Sequence, residues 1–245
     1  MFGLFKKKNT PQPIFETLVA DMHSHMLPGV DDGSSSVDTT IACMKVMEAV
    51  GFKRMYLTPH FIHTRYPNEE EDIMSRFCSL RKDLAGSDVE VELAGIAGEY
   101  RIDSFFEQRI KDSKFLKIAG EYVLVELSLN QQMMGSERLI EELQTNDHVV
   151  VLAHPERYLY IYSQCKEIER LRNNGVLIQV NILSLDGFYG PESAKRAYRM
   201  IENGWVDFLG TDLHGMRYAE ALIRASNNKK IEKIIIQNQF LNSDI

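Results

Sequence analysis

The chain has 245 residues, long enough for one large core, and its 44% hydrophobic and 26% charged residues are the balance of a soluble globular protein. A formal charge of −7 at pH 7 argues against nucleic acid as a partner, because a phosphate backbone needs a basic footprint. Cys43, Cys78 and Cys165 are scattered without Cys-x-x-Cys spacing, which excludes a disulfide framework and a zinc knuckle.

Residues 1–16 read as a flexible basic arm. Met1-Phe2-Gly3-Leu4-Phe5 is apolar, Lys6-Lys7-Lys8 is basic, and Pro11-Gln12-Pro13 resists regular structure. Apolar residues beside lysines suit a weak contact of Met1 to Lys8 with an anionic membrane surface. No apolar run reaches the length of a membrane span, and no secretory h-region with a cleavage site follows the start. The expected location is therefore cytoplasmic, peripheral at the inner membrane through the arm. Residues 17–245 read as one domain.

A first strand is expected over 17–23. Residues 37–50 then place Ile41, Met44, Met47 and Val50 at helical spacing, with Gly51 as the stop. A strand over 52–58 precedes a helix capped by Asn68, with Glu69, Glu70 and Glu71 in its first turn and Gly86 at its end. Strands over 89–97 and 121–127 come next, and Ser136 opens a further helix. Val149-Val150-Val151-Leu152-Ala153 and Val176-Leu177-Ile178-Gln179-Val180 mark strands over 148–153 and 176–181. Their apolar runs are continuous, as in parallel strands buried on both faces. Pro191 begins another helix, Gly204 closes it, and the last strand covers 206–211. Seven strands alternating with helices imply an α/β barrel more readily than an open doubly wound sheet, and no Gly-x-Gly-x-x-Gly follows the first strand.

The C-terminal ends of these strands carry an unusual set of residues. The first ends in His23 and His25, with Asp32 in the loop beyond; the second ends at His60, the third at Glu99 and the fourth at Glu126. The fifth ends at His154, and the seventh carries Asp212 and His214. Only the sixth lacks an ionisable residue, offering Asn181. In a barrel these ends converge on one rim, where active sites are built. Five histidines and four carboxylates would meet there, and clustered carboxylates repel one another unless cations compensate them. Nine nitrogen and oxygen ligands exceed the needs of one ion, so two or three divalent ions are expected; ligand type leaves manganese, iron and zinc open. Such a site performs hydrolysis. Arg157 and Arg217, each three residues after a histidine of the set, favour a phosphoester over an amide substrate.

These residues also resemble a known superfamily. Asp21-Met22-His23-Ser24-His25, Gly29-Val30-Asp31-Asp32-Gly33, Thr58-Pro59-His60, Gly98-Glu99, Val125-Glu126, Ala153-His154-Pro155-Glu156-Arg157-Tyr158 and Thr211-Asp212-Leu213-His214 look like the PHP (polymerase and histidinol phosphatase) superfamily. The Val-Asp-Asp-Gly and His-x-x-Arg-Tyr segments match its CpsB/CapC branch, the metal-dependent protein-tyrosine phosphatases of bacterial capsule and exopolysaccharide synthesis. The resemblance covers roughly residues 17–240. It implies a distorted (β/α)7, PHP/TIM-like barrel with three ions, often manganese, held by His23, His25, Asp32, His60, Glu99, Glu126, His154, Asp212 and His214. It implies phosphate binding at Arg157 and, less directly because the transfer depends on the loop length after His214, at Arg217. The implied substrate is phosphotyrosine on the tail of a membrane-associated bacterial tyrosine kinase (a polysaccharide co-polymerase), hydrolysed by direct attack of a metal-bound hydroxide with no phosphoenzyme.

The nearest rivals share the site: a histidinol-phosphate phosphatase or another small-molecule phosphoesterase, and a nuclease-like phosphodiesterase that the acidic balance disfavours. A scaffold that binds kinase tails without catalysis would show a degenerate ligand set, whereas this one is intact. A cysteine phosphatase fails on spacing, since Cys165 and Arg170 enclose four residues rather than five. His63 reads as a surface histidine. The segment 182–190, with Phe188 and Tyr189, reads as a rim loop.

Overall fold

A computed structural model describes residues 10–161 and 165–245 of the chain. The proposed membrane contact, Met1 to Lys8, lies outside the described residues. Nine strands are present among them: β1 (Ala20–Asp21), β2 (Arg54–Leu57), β3 (His60–Phe61), β4 (Glu92–Ile96), β5 (Glu99–Arg101), β6 (Tyr122–Glu126), β7 (Val149–Ala153), β8 (Leu177–Asn181) and β9 (Phe208–Gly210). The helices are α1 (Val37–Val50), α2 (Glu70–Leu84), α3 (Phe106–Asp112), α4 (Ser136–Thr145), α5 (Lys166–Asn173), α6 (Ile182–Leu185), α7 (Pro191–Glu202), α8 (Met216–Ala225) and α9 (Lys229–Gln237).

The nine strands are seven in passage. Pro59 breaks the second passage into β2 and β3, because proline has no N–H to give the ladder. Ala97-Gly98 breaks the third into β4 and β5. The two breaks stay in step, with Ala97 N donating to Leu57 O at 2.8 Å and Glu99 N to Pro59 O at 3.0 Å. Every pairing is parallel, in the orders β1-β2-β4 and β3-β5-β6-β7-β8-β9. Beyond β1 the ring closes onto the chain after β9: His25 N donates to Leu213 O at 2.9 Å and Asp212 N to His23 O at 2.8 Å. The expected parallel α/β barrel is what forms, distorted by the two breaks.

Period-two alternation explains why the strands read as continuously apolar. Leu124, Val151, Ala153 and Phe208 pack inside the barrel, while Val123, Val125, Val150, Leu152 and Leu209 face the helices. Glu126 shares the inward parity of Leu124, so a charged residue at that strand end is aimed into the barrel mouth.

Several local expectations differ. Thr17 and Leu18 belong to a 3-10 turn, Glu16–Leu18, and the chain enters β1 through Val19 at φ 63°. Asn68 does not cap α2. Its amide donates instead to His60 O at 2.8 Å and Val30 O at 3.2 Å, carbonyls that no strand partner satisfies, and Glu69 takes the cap position without a side-chain bond. That helix also stops at Leu84, short of Gly86. Other markers hold, since Gly51 ends α1 in the left-handed region, Ser136 opens α4 and Pro191 opens α7, whereas the strands expected over 89–97 and 206–211 are shorter, Glu92–Ile96 and Phe208–Gly210. The stretch preceding β1 packs on the barrel, since Phe15 is fully buried and stacked on Phe52 at 5.4 Å. No helix among the described residues is long and apolar enough to cross a membrane.

Candidate metal centre

Strand-end geometry gathers eight of the nine expected ligands into overlapping groups whose ligand atoms lie within 4.8 Å of one another. They are His23/His25/Asp212, His23/Glu99/His154, His25/His60/His214 and His60/Glu99/Glu126. Glu99 is the hub. Its Oε2 lies 2.8 Å from His60 Nδ1, 3.3 Å from His25 Nε2 and 3.4 Å from His23 Nε2, and its Oε1 lies 2.8 Å from His154 Nε2. Asp32, the ninth, stands at the solvent edge, 3.5 Å from His60 Nε2 and 3.9 Å from His214 Nε2. His154 and Asp212 hold φ of 35° and 51°, a conformation that costs free energy for non-glycine residues and is concentrated at functional sites.

Neighbouring side chains fix which nitrogen each leading histidine presents. His25 Nδ1 lies 2.7 Å from Asp31 Oδ2 and His23 Nδ1 lies 3.0 Å from Gln179 Oε1, so both Nε2 atoms turn into the basin, 3.2 Å apart. This is the arrangement that orients an imidazole as a metal ligand. Gly33 makes it sterically feasible, because a Cβ there would stand 1.9 Å from His25 O. The loop doubles back at that point, with Ser34 N donating to His25 O at 2.8 Å.

The electrostatics divide the set. Burial and Arg157 push His154 down to about 4, and burial and His25 push His214 to about 4, so both rings are neutral near pH 7. Burial would raise the Asp212 carboxyl, but His214, His23 and Arg157 outweigh it and hold it well below the usual range. Glu99 is likewise held low against burial by His23 and His60. Burial and the charge of Glu99 raise Glu126 to about 7. Burial would lower His23, yet Glu99 and Asp212 hold it up at about 8.

Divalent cations fit this basin. Glu99 Oε2 is buried without a hydrogen bond and faces three imidazoles, and an uncompensated buried carboxylate oxygen is costly. Neutral imidazoles (His154, His214) and carboxylates held low (Glu99, Asp212) are N/O donors for such ions, and a bound cation would displace the protons that His23 and Glu126 otherwise keep.

The two arginines stand at the mouth. Arg157 Nη1 lies 2.5 Å from Asp212 Oδ2, and its guanidinium sits over the Tyr189 ring at 4.2 Å. Arg217 is exposed, with its guanidinium over Phe188 at 5.2 Å and no ion pair. Of the expected rim loop 182–190, Ile182–Leu185 is instead the buried helix α6, and only residues 186–190 form a rim turn, whose Phe188 and Tyr189 rings back the arginines. Asn181 joins the basin, its Nδ2 donating to Asp212 Oδ2 at 2.8 Å.

Sequence reasoning missed Asp31, Gln179 and Arg101; it named Tyr189 in the rim segment but not its stack on Arg157. The Asp31-Asp32 pair was the available signal for the first. Arg101 Nη2 lies 2.8 Å from Glu126 Oε1, and nothing in its neighbours along the chain marks it. His63 is exposed, as expected.

A family model described as capsular polysaccharide synthesis, CpsB/CapC, matches residues 19–240. The putative tyrosine-protein phosphatase CapC of Staphylococcus aureus is 27% identical over 216 residues, spanning 87% of this chain and 84% of that protein. Tyrosine-protein phosphatase YwqE of Bacillus subtilis is 26% identical, over 80% of this chain and 78% of its own. Tyrosine-protein phosphatase CpsB of Streptococcus pneumoniae is also 26% identical, over 80% and 83%. Among solved structures, one described as the metal-dependent tyrosine phosphatases YwqE and CpsB superposes with a TM-score of 0.76 at 23% identity, over 89% of this chain and 92% of that one. The lactonase Lmo2620 of Listeria monocytogenes shares the fold at a TM-score of 0.51 and 11% identity, over 94% of each chain.

Proposed function

The chain belongs to the CpsB/CapC family, and on that premise we propose that it is a metal-dependent tyrosine-protein phosphatase of capsule synthesis. The observation that carries the reading is the convergence of eight strand-end ligands in overlapping groups, Glu99 among them as the hub, with two arginines at the mouth. His23, His25, Asp32, His60, Glu99, Glu126, His154, Asp212 and His214 hold two or three divalent ions, with manganese the expected metal. Ions bound there acidify water and draw charge from the phosphoryl oxygens.

The chain's own groups do the rest. Arg157 and Arg217 bind phosphoryl oxygens, and the Tyr189 and Phe188 rings set the approach of each guanidinium. Asp31 and Gln179 keep His25 and His23 presenting Nε2. Water is the nucleophile. Cys43 and Cys165 are buried, and burial raises their thiols to about 12 and about 11, so neither supplies a thiolate. Phenolate is a fair leaving group, which lessens the need for a dedicated general acid.

The substrate is phosphotyrosine on the tail of a bacterial tyrosine kinase, met in the cytoplasm at the inner membrane, where Met1 to Lys8 adds a weak lipid contact. The test is a side-by-side assay of a phosphotyrosyl peptide and histidinol phosphate with added manganese. Preference for the peptide is expected; preference for histidinol phosphate overturns the assignment while leaving the metal centre intact.

A further inference from the structure

Six large apolar side chains are conspicuously exposed among the described residues, and three of them, Met74, Met216 and Ile236, lie within helices. The other three fall in connections that leave the C-terminal ends of strands, Phe105 at 48% exposure, Met134 at 95% and Leu159 at 69%, and Met216, at 40%, opens α8 directly after the connection that leaves β9. These four therefore share the face that carries the metal basin. Two of these loops are tied together, since Leu159 N donates to Leu129 O at 2.8 Å. Apolar groups concentrated around one functional opening mark a surface that another molecule covers.

Phe105 adds shape to this rim. Its ring lies on that of His63, with centroids 3.6 Å apart and planes at 19°. Beneath the pair opens a cleft of about 230 Å³. Phe61, which follows the ligand His60, forms part of its wall, and so does Arg101, whose Nη2 lies 2.8 Å from the ligand Glu126. Arg109 stiffens the floor, its guanidinium 5.1 Å from the centres of both Phe61 and Tyr100 while it pairs with Glu70. Pockets that enclose a whole small ligand measure roughly 300–1,000 Å³, so this one suits a side chain or two. No metal ligand lines it, but two of its wall residues adjoin the basin, Phe61 next in sequence to His60 and Arg101 paired with Glu126.

We propose that this cleft is a substrate-side-chain subsite. A phosphotyrosine-bearing polypeptide lies across the rim, and an apolar side chain flanking the phosphotyrosine rests on the Phe105–His63 platform. The proposal rests on the phosphotyrosine reading above and deepens it, naming the specificity-determining pair. An anionic membrane is the less suitable occupant. Glu69, Asp103 and Asp112 line the same cleft outside any ion pair, against the single unpaired lysine Lys114, and those carboxylates repel a lipid surface of like charge.

The test compares three substrates under manganese: p-nitrophenyl phosphate, which has no flanking chain, and two phosphotyrosyl peptides differing only in leucine or serine beside the phosphotyrosine. Wild type should favour the leucine peptide by roughly tenfold in kcat/KM, the scale of discrimination by one apolar contact. Phe105→Ala should erase that preference and leave p-nitrophenyl phosphate turnover within twofold; His63→Ala should weaken it. A preference that survives both substitutions overturns the proposal, as does an equal loss on all three substrates. Loss of binding to phosphatidylglycerol vesicles by Phe105→Ala, with the peptide preference kept, would assign the rim to membrane instead. If wild type cleaves p-nitrophenyl phosphate but neither peptide, it is the underlying phosphotyrosine reading that fails.

Discussion

His25 Nδ1 and Asp31 Oδ2 lie 2.7 Å apart, and the same carboxyl also accepts from the backbone N–H groups of His60 at 3.0 Å and Gly33 at 2.9 Å. One side chain thus sets the ring orientation of one ligand and the backbone position of a second. Burial would raise the Asp31 carboxyl, but His25 outweighs it and holds it down at about 2, so the acceptor stays ionised across the working pH range. Asp31→Asn should keep the fold and weaken metal affinity about 10–100-fold, the usual effect of losing a carboxylate behind a ligating histidine. Isothermal titration with manganese reads this directly. Unchanged affinity would show that the loop alone orients His25.

That pairing also marks where the sequence becomes hard to read. The seven strand passages are legible because parallel strands buried on both faces leave continuous apolar runs, and the ligands are legible because they recur at strand ends. Asp31 and Asp32 are adjacent and chemically identical, so spacing cannot say which faces an ion and which backs a histidine. Gln179 and Arg101 act from one strand passage to another on residues 156 and 25 positions away, and no local pattern records such contacts. Asn68 has the identity and position of a helix cap, but tertiary demand from the His60 and Val30 carbonyls overrides that local preference.

Thiol chemistry separates this centre from a cysteine phosphatase. Cys78 lies exposed on α2, whereas Cys43 and Cys165 are buried with thiols raised by burial to about 12 and about 11. Iodoacetamide at pH 8 should modify Cys78 and spare the other two, leaving turnover unchanged. Peptide mapping by mass spectrometry beside an activity assay checks both halves, and inactivation that tracks Cys43 or Cys165 would contradict the role given to water.

At the opposite end of the barrel a single amide holds the seam. Asn242 is fully buried; its Nδ2 donates to Ala20 O at 2.9 Å and Leu209 O at 2.7 Å, and its Oδ1 accepts from Leu209 N at 2.9 Å. It thereby bridges β1 and β9, which do not pair directly there. Asn242→Ala strands three buried polar groups and should cost about 2–4 kcal/mol. For a chain of this size that is a fall in Tm of roughly 5–15 °C by calorimetry. Turnover per folded molecule should hold, because Asn242 bonds to Ala20 and Leu209 and to none of the ligands.

Ion binding should stabilise the fold, because the ligands converge only in the folded chain. The metal binds only the folded state, where these imidazoles and carboxylates are brought together, so free metal at 100 times its dissociation constant adds about 2.7 kcal/mol. Chelator-treated protein should gain roughly 5–10 °C in Tm as manganese is added, saturably. His154→Ala removes a ligand from the Glu99 hub and should shrink that gain while leaving the metal-free Tm within a few degrees. A rise in Tm that never saturates would point to surface ions.

Arg157 and Arg217 carry unequal weight at the mouth. Arg157 is mostly buried, stacked on Tyr189 and paired with Asp212, so its fork is held in place before any ligand arrives. Arg217 is exposed and backed only by Phe188. A donor fixed in advance contributes more to a developing negative charge than one that must first be ordered. Arg157→Lys keeps the charge and loses the planar fork; it should lower kcat/KM on an aryl phosphate by about 100-fold and raise the inhibition constant for inorganic phosphate. Arg217→Lys should cost about tenfold or less. Steady-state kinetics on the two variants with phosphate as competitor settle the order, and an equal loss at both positions would show that substrate binding itself orders Arg217.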